Sequence, residues 1–211
     1  MKIRERADSI SEILRSRYPD VRTQLSHRNP FELLVATILS AQCTDKQVNS
    51  VTENLFSHLP GPDDFANASL ETIEQLIRST GYFHNKAKYI KSCSEIIIKE
   101  YKGNVPETLD ELLKLPGIGR KTANVILGAA FGIPGMVVDT HVKRISRRIG
   151  LTGNNDPEKI EYDLMKLVPR KDWNDFSLWL VYFGRDICKA RKPACASCPL
   201  CHLCNFSDKE T

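Results

Sequence analysis

An all-α fold is what this sequence predicts, and three observations predict it. Apolar residues recur at helical spacing along nearly the whole chain. Most of these runs open on a capping residue or a proline. Alternating, strand-like patterns are scarce. The composition agrees: of 211 residues, 41% are hydrophobic, 27% charged and 8% aromatic, the profile of a globular chain with a core. A chain this long buries about 70% of its unfolded surface, so it needs no disulfides to fold. Collagen, a coiled coil, a disulfide-framework toxin and a wholly disordered chain are excluded.

The elements follow in order. Ile10, Ile13, Leu14 and Tyr18 keep helical spacing in a charged opening segment. Asn29-Pro30 pairs an N-cap with proline at the first helical position, and Phe31 to Ser40 continues that helix. Thr44-Asp45-Lys46-Gln47 is a capping box ahead of Val48, Val51 and Leu55. Ser69 caps a helix with Ile73, Leu76 and Ile77. The next runs from Asn85 to Glu100, with Ile90, Cys93, Ile96 and Ile97 on one face. Thr108-Leu109-Asp110-Glu111 is a second capping box, before Leu112 and Leu113. Asp139 caps a helix with Val142, Ile145 and Ile149. Asp156-Pro157 opens one with Ile160, Leu164 and Leu167, and Phe176 to Ile187 is a last, strongly apolar helix. No internal repeat, low-complexity tract or long linker interrupts the series.

The longest uncharged stretch, Thr122 to Val138, is broken by three glycines and a proline. It falls short of the roughly 20 apolar residues of a membrane span, so no membrane partner is expected. The opening Met1-Lys2-Ile3-Arg4-Glu5-Arg6 is charged where a signal peptide is apolar, which assigns the chain to the cytoplasm. With 30 Lys and Arg against 26 Asp and Glu, the formal charge is +4. That permits nucleic-acid binding without demanding it. The seven cysteines are unevenly spread. Cys43 and Cys93 stand alone, Cys93 as a core residue, while Cys188, Cys195, Cys198, Cys201 and Cys204 crowd the last tenth. In a reducing compartment such a cluster reads as metal binding.

Leu115-Pro116-Gly117-Ile118-Gly119-Arg120-Lys121 lies between two helical patterns. Proline stops the first helix, and both glycines are expected to supply the backbone angles of a tight turn. The second helix turns Ala123, Ile126 and Leu127 inward. Backbone N–H groups at such a helix start, with the positive end of its dipole, suit a phosphate and grip a nucleic-acid backbone without reading sequence. Gly117, Ile118, Gly119 and Arg120 are therefore DNA-contact candidates. Lys121 falls in the first turn of that helix. The dipole, the neighbouring Arg120 and partial burial would all lower its ammonium pKa and favour the neutral, nucleophilic amine. The plainer reading of Lys121 is a phosphate contact. The plainer reading of Asp139 is an N-cap; the functional one is a carboxylate that acts with Lys121.

Cys188-x6-Cys195-x2-Cys198-x5-Cys204 offers four thiolates, which suit zinc or an iron–sulfur cluster. Structural zinc more often takes two short Cys-x2-Cys knuckles, and the first gap here departs from that pattern. With Cys201 included, a cysteine falls at every third residue, so spacing alone leaves open which four ligate. His202 is a bystander beside five cysteines. Between the first two cysteines, Lys189, Arg191 and Lys192 put three positive charges on a loop pinned at both ends. That is a compact phosphate-binding surface.

Four segments together carry a resemblance. Leu-Pro-Gly-Ile-Gly-Arg-Lys-Thr-Ala-Asn-Val at 115–125 resembles the helix–hairpin–helix of the endonuclease III family of DNA glycosylases. Val137-Val138-Asp139-Thr140-His141-Val142 resembles that family's catalytic aspartate segment. The cysteine spacing matches its [4Fe–4S] motif, and Leu39-Ser40-Ala41-Gln42-Cys43-Thr44-Asp45 resembles its N-terminal motif. The segments occur in the family's order and the similarity covers nearly the whole chain.

The resemblance implies a two-lobed all-α fold. A six-helix lobe over about 23–134 carries the hairpin (about 107–132), and residues 1–22 with 135–211 form a cluster lobe with the iron–sulfur loop at 188–204. It implies a monomeric, bifunctional repair enzyme, cytoplasmic and, in a bacterium, nucleoid-associated. Its partner is double-stranded DNA containing damaged pyrimidines or abasic sites. In the implied mechanism the damaged base flips out of the duplex, Lys121 attacks C1′ of its sugar, a Schiff base forms, and β-elimination cuts the strand. Asp139 helps activate Lys121 and stabilises developing positive charge. Gln42 fills the gap left by the base. Cys188, Cys195, Cys198 and Cys204 hold a structural [4Fe–4S] cluster that keeps Lys189, Arg191 and Lys192 against phosphates.

Three residues depart from the family's pattern: Cys201 is an extra cysteine, Tyr82 stands where an apolar wedge is usual, and Cys43 replaces a small residue. The adenine-excising branch shares the hairpin, aspartate and cluster but generally lacks a lysine at position 121 and carries an added recognition domain. The lysine also argues against a thymine-mismatch glycosylase. A DNA-binding module without chemistry leaves Lys121 and Asp139 unexplained. An electron carrier built on the cysteine run leaves the first 187 residues unexplained.

Overall fold

A computed structural model of the chain describes residues 2–207. Among the described residues eleven α-helices form and no strand. The first, α1 (Ile3–Arg17), begins where Glu5 accepts from the Lys2 N–H at 2.9 Å, and it buries Ala7, Ile10 and Leu14. Next, α2 (Pro30–Leu39) starts on Asn29, whose side chain accepts from the Glu32 N–H at 2.9 Å, with Pro30 in the first turn. Every residue from Phe31 to Leu39 is buried, so α2 is apolar on all sides and enclosed by its neighbours. Its one buried carboxylate, Glu32, is matched by the Arg28 guanidinium at 2.6 Å.

Thr44 caps α3 (Asp45–His58). Gln47, expected to reach back to that cap, donates instead to Ser79 Oγ at 2.9 Å. The sequence pattern passed over α4 (Pro62–Asn67). It is held by Asp64, which accepts from the Gly61 N–H at 2.9 Å, and by Phe65, whose ring meets Phe31 edge-on at 5.5 Å. Ser69 caps α5 (Leu70–Ile77), and α6 (Phe83–Tyr101) buries Lys86, Ala87, Ile90, Cys93 and Ile97. A single turn, α7 (Leu109–Leu112), precedes α8 (Arg120–Phe131). At the α7 cap, the Thr108 hydroxyl donates to the Glu111 carboxylate at 2.6 Å. The last three are α9 (Thr140–Arg148), α10 (Pro157–Leu167) and α11 (Trp173–Asp186).

Packing divides the chain into two units, Thr23–Ile133 and Met1–Arg22 with Pro134–Thr211. The first holds α2 to α8 around Leu33, Leu34, Leu39, Leu55, Ile77 and Ile90, all fully buried. Each such side chain contributes about 1.5–3 kcal/mol by leaving water. The second unit returns α1 to the far end of the chain. Trp179 donates to the Tyr18 carbonyl at 3.1 Å, and Arg17 pairs with Asp186 at 2.8 Å. Its core includes Ile10, Leu14, Ile145, Phe176, Leu180 and Phe183. Gly184 lets α9 close on α11, since a Cβ there would stand 2.6 Å from His141 Nδ1. No helix among the described residues is long and apolar enough to cross a membrane.

Candidate nucleic-acid interface

The turn between α7 and α8 is fastened to its unit by apolar side chains on both sides. Leu112, Leu115 and Ile118 are buried, as are Ala123, Ile126 and Leu127. Gly117 sits at φ +76°, and a Cβ there would stand 2.7 Å from the Tyr89 ring on α6, so conformation and space both require glycine. Gly119 differs from expectation. Its φ of −94° and ψ of 173° are extended backbone, and a Cβ would meet nothing within 4 Å. The turn itself requires only one of the two glycines. Ile118 is a core residue whose N–H donates to the Leu115 carbonyl at 3.1 Å. Behind the turn, the buried Cys93 thiol donates to the Pro116 carbonyl at 3.1 Å. Burial pushes that thiol up to about 12, which suits a structural group and not a nucleophile. No side chain caps Gly119. Arg120 and Lys121 follow in the first turn of α8, and Lys121 is exposed, so the partial burial expected of it is not found.

Gln42 and Tyr82 share an uncommon backbone. Both are non-glycine residues in the left-handed region, at φ 53° and 49°. Both are exposed, Tyr82 by 66%. Lys102 and Lys192 are the other described non-glycine residues at positive φ. Lys102 is an ordinary left-handed helix end, the C-cap of α6. Lys192 lies in the basic loop between cysteines. Three of these four residues are therefore DNA-contact candidates from the sequence, and backbone strain gathers at functional sites. Lys86 escaped the sequence reading. It is 3% exposed, and its Nζ donates to the Leu39 and Thr80 carbonyls at 2.8 Å each. Its signal was a lysine in the apolar register of Ile90, Cys93 and Ile97.

In the other unit Asp139 is the N-cap of α9, its Oδ1 accepting from the Val142 N–H at 2.8 Å. That cap occupies one of two carboxylate oxygens. The neighbouring His141 is held below the usual imidazole range by burial, with Asp139 opposing and Arg144 and Arg185 assisting. Arg144 donates to His141 Nδ1 at 3.2 Å, which leaves the proton of a neutral ring on Nε2.

Cys188, Cys195, Cys198, Cys201 and Cys204 line one cavity with Arg148, Phe183 and Phe206. Among the described residues, no three of His, Cys, Asp or Glu are grouped to hold a single metal ion. Sulfurs on one zinc converge to about 2.3 Å from it, whereas a four-iron cluster gives each thiolate its own iron. A cavity ringed by thiols fits the larger group. Burial, with the charges of Cys188, Cys204 and Cys195, pushes the Cys198 thiol up to about 11, and burial also raises Cys195. Thiolates gathered here call for cationic metal in their midst.

Two arginines on α9, neither singled out in the sequence, hold this loop. Arg148 donates to Cys188 Sγ at 3.4 Å, to the Lys189 carbonyl at 2.8 Å and to the Ala190 carbonyl at 3.0 Å. Its own carbonyl accepts from Cys204 Sγ at 3.3 Å and from the Asn205 N–H at 3.0 Å. Its guanidinium lies 4.3 Å from the Phe206 ring centre. Arg144 donates to the Cys188 carbonyl at 2.9 Å. Lys189, Arg191 and Lys192 project from the loop, all exposed.

The chain is similar to known proteins over nearly its whole length. Residues 35–170 match the family described as HhH-GPD superfamily base excision DNA repair protein. Endonuclease III of Synechocystis sp. is 52% identical over 202 residues, covering 95% of this chain and 92% of that protein. A solved non-covalent endonuclease III–DNA complex superposes with a TM-score of 0.93 at 45% identity, covering 97% of this chain and 96% of the other. A trapped endonuclease III–DNA covalent intermediate gives the same score and identity, covering 97% of both chains. The chain belongs to the HhH-GPD superfamily of base-excision DNA repair proteins and, within it, to the endonuclease III family.

Proposed function

We propose that the protein is a bifunctional DNA glycosylase of base-excision repair. It removes oxidised pyrimidines from duplex DNA and cuts the strand at the abasic site by β-elimination. The observation that carries this reading is the likeness, over 97% of the chain, to an endonuclease III trapped covalently on DNA. A covalent DNA adduct needs a nucleophile, and Lys121 is an exposed amine in the first turn of α8, beside Arg120 and an uncapped helix start.

Neutral Lys121 Nζ attacks C1′ of the flipped nucleotide as the glycosidic bond breaks, and the base departs with that electron pair and takes up a proton. The amine gives up one proton, and the sugar ring opens as O4′ takes up another, leaving a protonated, positively charged imine between Nζ and C1′. Loss of a C2′ proton then expels the 3′ phosphate, and water hydrolyses the imine to restore the lysine. Asp139 accepts the amine proton and offsets the positive charge on the imine, while its cap to Val142 fixes the carboxylate. Gln42 fills the vacated stack and Tyr82 wedges the neighbouring base step.

Gly117, Ile118, Gly119 and Arg120 present the start of α8 to a backbone phosphate. A side chain at Gly119 meets nothing in the protein itself, so the absent side chain leaves room for DNA. Cys188, Cys195, Cys198 and Cys204 are the proposed ligands of a [4Fe–4S] cluster. When bound, that group supplies a structural cross-link, and the chain's own Lys189, Arg191 and Lys192 then meet phosphates. The protein works as a cytoplasmic monomer. The test is single-turnover cleavage of a duplex carrying thymine glycol beside an undamaged duplex. Cleavage at the lesion alone is expected, and no cleavage by iron-loaded protein contradicts the reading.

A further inference from the structure

The mechanism above leaves one buried ammonium without a role. Lys86 lies on the apolar face of α6, 3% exposed, where packing alone would favour leucine or methionine. Burying a charge is costly unless it is well hydrogen-bonded. Here it is bonded twice, to carbonyls 47 and 6 residues back in the chain. Leu39 ends α2, and Thr80 ends the short turn Arg78–Thr80. Gln42 stands three residues beyond the first, and Tyr82 two beyond the second. A further tie runs from α3 to the second of these segments, from Gln47 Nε2 to Ser79 Oγ at 2.9 Å. Burial lowers the pKa of Lys86, and neighbouring Cys43 opposes that shift.

Left-handed backbone at Gln42 and Tyr82 persists only where its surroundings over-determine it. With one group Lys86 bonds three residues before Gln42 and two before Tyr82. The last carbonyls of α2 have no partner within the helix, so the ammonium also anchors the point from which the Gln42 segment departs.

We propose that Lys86 is a positioning residue for base extrusion: its ammonium fixes the Gln42 and Tyr82 segments to each other, so that both side chains enter the duplex in register. This rests on the glycosylase reading above and deepens it. Lys86 touches no DNA. It acts through the two segments it joins, and its loss leaves the α8 start and the cysteine loop as they are.

The test compares wild type with Lys86→Met, which keeps length and packing but cannot donate. The probe is a duplex with 2-aminopurine opposite thymine glycol, whose fluorescence rises when the estranged base unstacks. Binding to an undamaged duplex and the thermal midpoint are read beside it. In wild type the fluorescence rises and the base is excised. In Lys86→Met the rise is lost and single-turnover excision falls about 100-fold, the scale of a small misplacement. Affinity for undamaged duplex stays unchanged. An undiminished rise with undiminished excision overturns the proposal. So does a parallel fall of excision, undamaged-duplex affinity and thermal midpoint, which marks a merely structural lysine. If Lys86→Met does not fold, Lys86→Gln, neutral and too short to bridge both carbonyls, is read the same way. A smaller rise supports the proposal and an unchanged rise overturns it. Wild type that shows neither rise nor excision overturns the glycosylase reading itself, and the proposal with it.

Discussion

The hairpin and the cysteine loop both meet phosphates on this account, yet they are held in opposite ways. The hairpin stands on apolar side chains. Leu112, Leu115 and Ile118 bury on one side, Ala123, Ile126 and Leu127 on the other, and Gly117 gives the clearance against Tyr89. The loop from Cys188 to Cys204 contains little regular structure beyond the turn Cys201–Leu203 and buries few side chains, chiefly Leu200 and Leu203. It is held by guanidinium donors from Arg144 and Arg148 and by thiols gathered round a cavity. Burial of apolar surface is non-directional and folds the hairpin unaided. The loop lacks the apolar area to offset the entropy of ordering it; directional bonds hold it, and the proposed cluster would cross-link it.

Loss of the proposed cluster should separate the two regions most clearly. Cys198→Ala, or iron removal by oxidation and chelation, is expected to disorder the loop and cut DNA affinity. Without Lys189, Arg191 and Lys192 in place, the salt dependence of binding should lose about one unit of slope for each lost contact. Circular dichroism should still show the helices of the Thr23–Ile133 unit. Loss of those helices would mean that the hairpin depends on the cysteines after all.

The hairpin's own weak point is Gly117. Gly117→Ala combines a positive φ with a 2.7 Å approach to Tyr89, and is expected to cost about 2–4 kcal/mol in a denaturant titration. Gly119→Ala meets nothing in the protein, so its stability should stay within about 0.5 kcal/mol while affinity for duplex DNA falls. Equal destabilisation by the two would show that the second glycine serves the turn and not a ligand.

Arg148→Gln probes the polar side of the comparison. It removes donors to Cys188 Sγ and to the Lys189 and Ala190 carbonyls, and hydrogen bonds from a charged group are worth about 1.5–3 kcal/mol. Lower iron retention on dilution and a lower thermal midpoint are expected, with the hairpin untouched. The smallest effect is that of Cys201→Ala. Iron content and stability should match wild type to about 0.5 kcal/mol, and an iron loss equal to that of Cys198→Ala would make Cys201 a ligand.

Much of this was legible in the sequence because it is local. Asn29, Thr44, Ser69, Thr108, Asp139 and Asp156 each cap the helix that their spacing announces. The short α4 was not legible, since six residues give too little periodicity to see. The positions of the candidate site residues were readable as motifs, but what holds them was not. Lys86 bonds to the carbonyls of Leu39 and Thr80, and Arg148 to those of Lys189 and Ala190. A carbonyl carries no residue identity for a pattern to catch. The second glycine of the hairpin erred in the other direction: the motif suggested a backbone requirement that the extended conformation of Gly119 does not have.

Lys121 is the proposed covalent nucleophile. Borohydride trapping on a thymine glycol duplex, wild type beside Lys121→Ala, tests it most directly. A trapped protein–DNA adduct is expected in wild type and none in the variant. An equal adduct in both would move the nucleophile elsewhere, and no adduct with iron-loaded, DNA-bound wild type would contradict Schiff-base chemistry altogether.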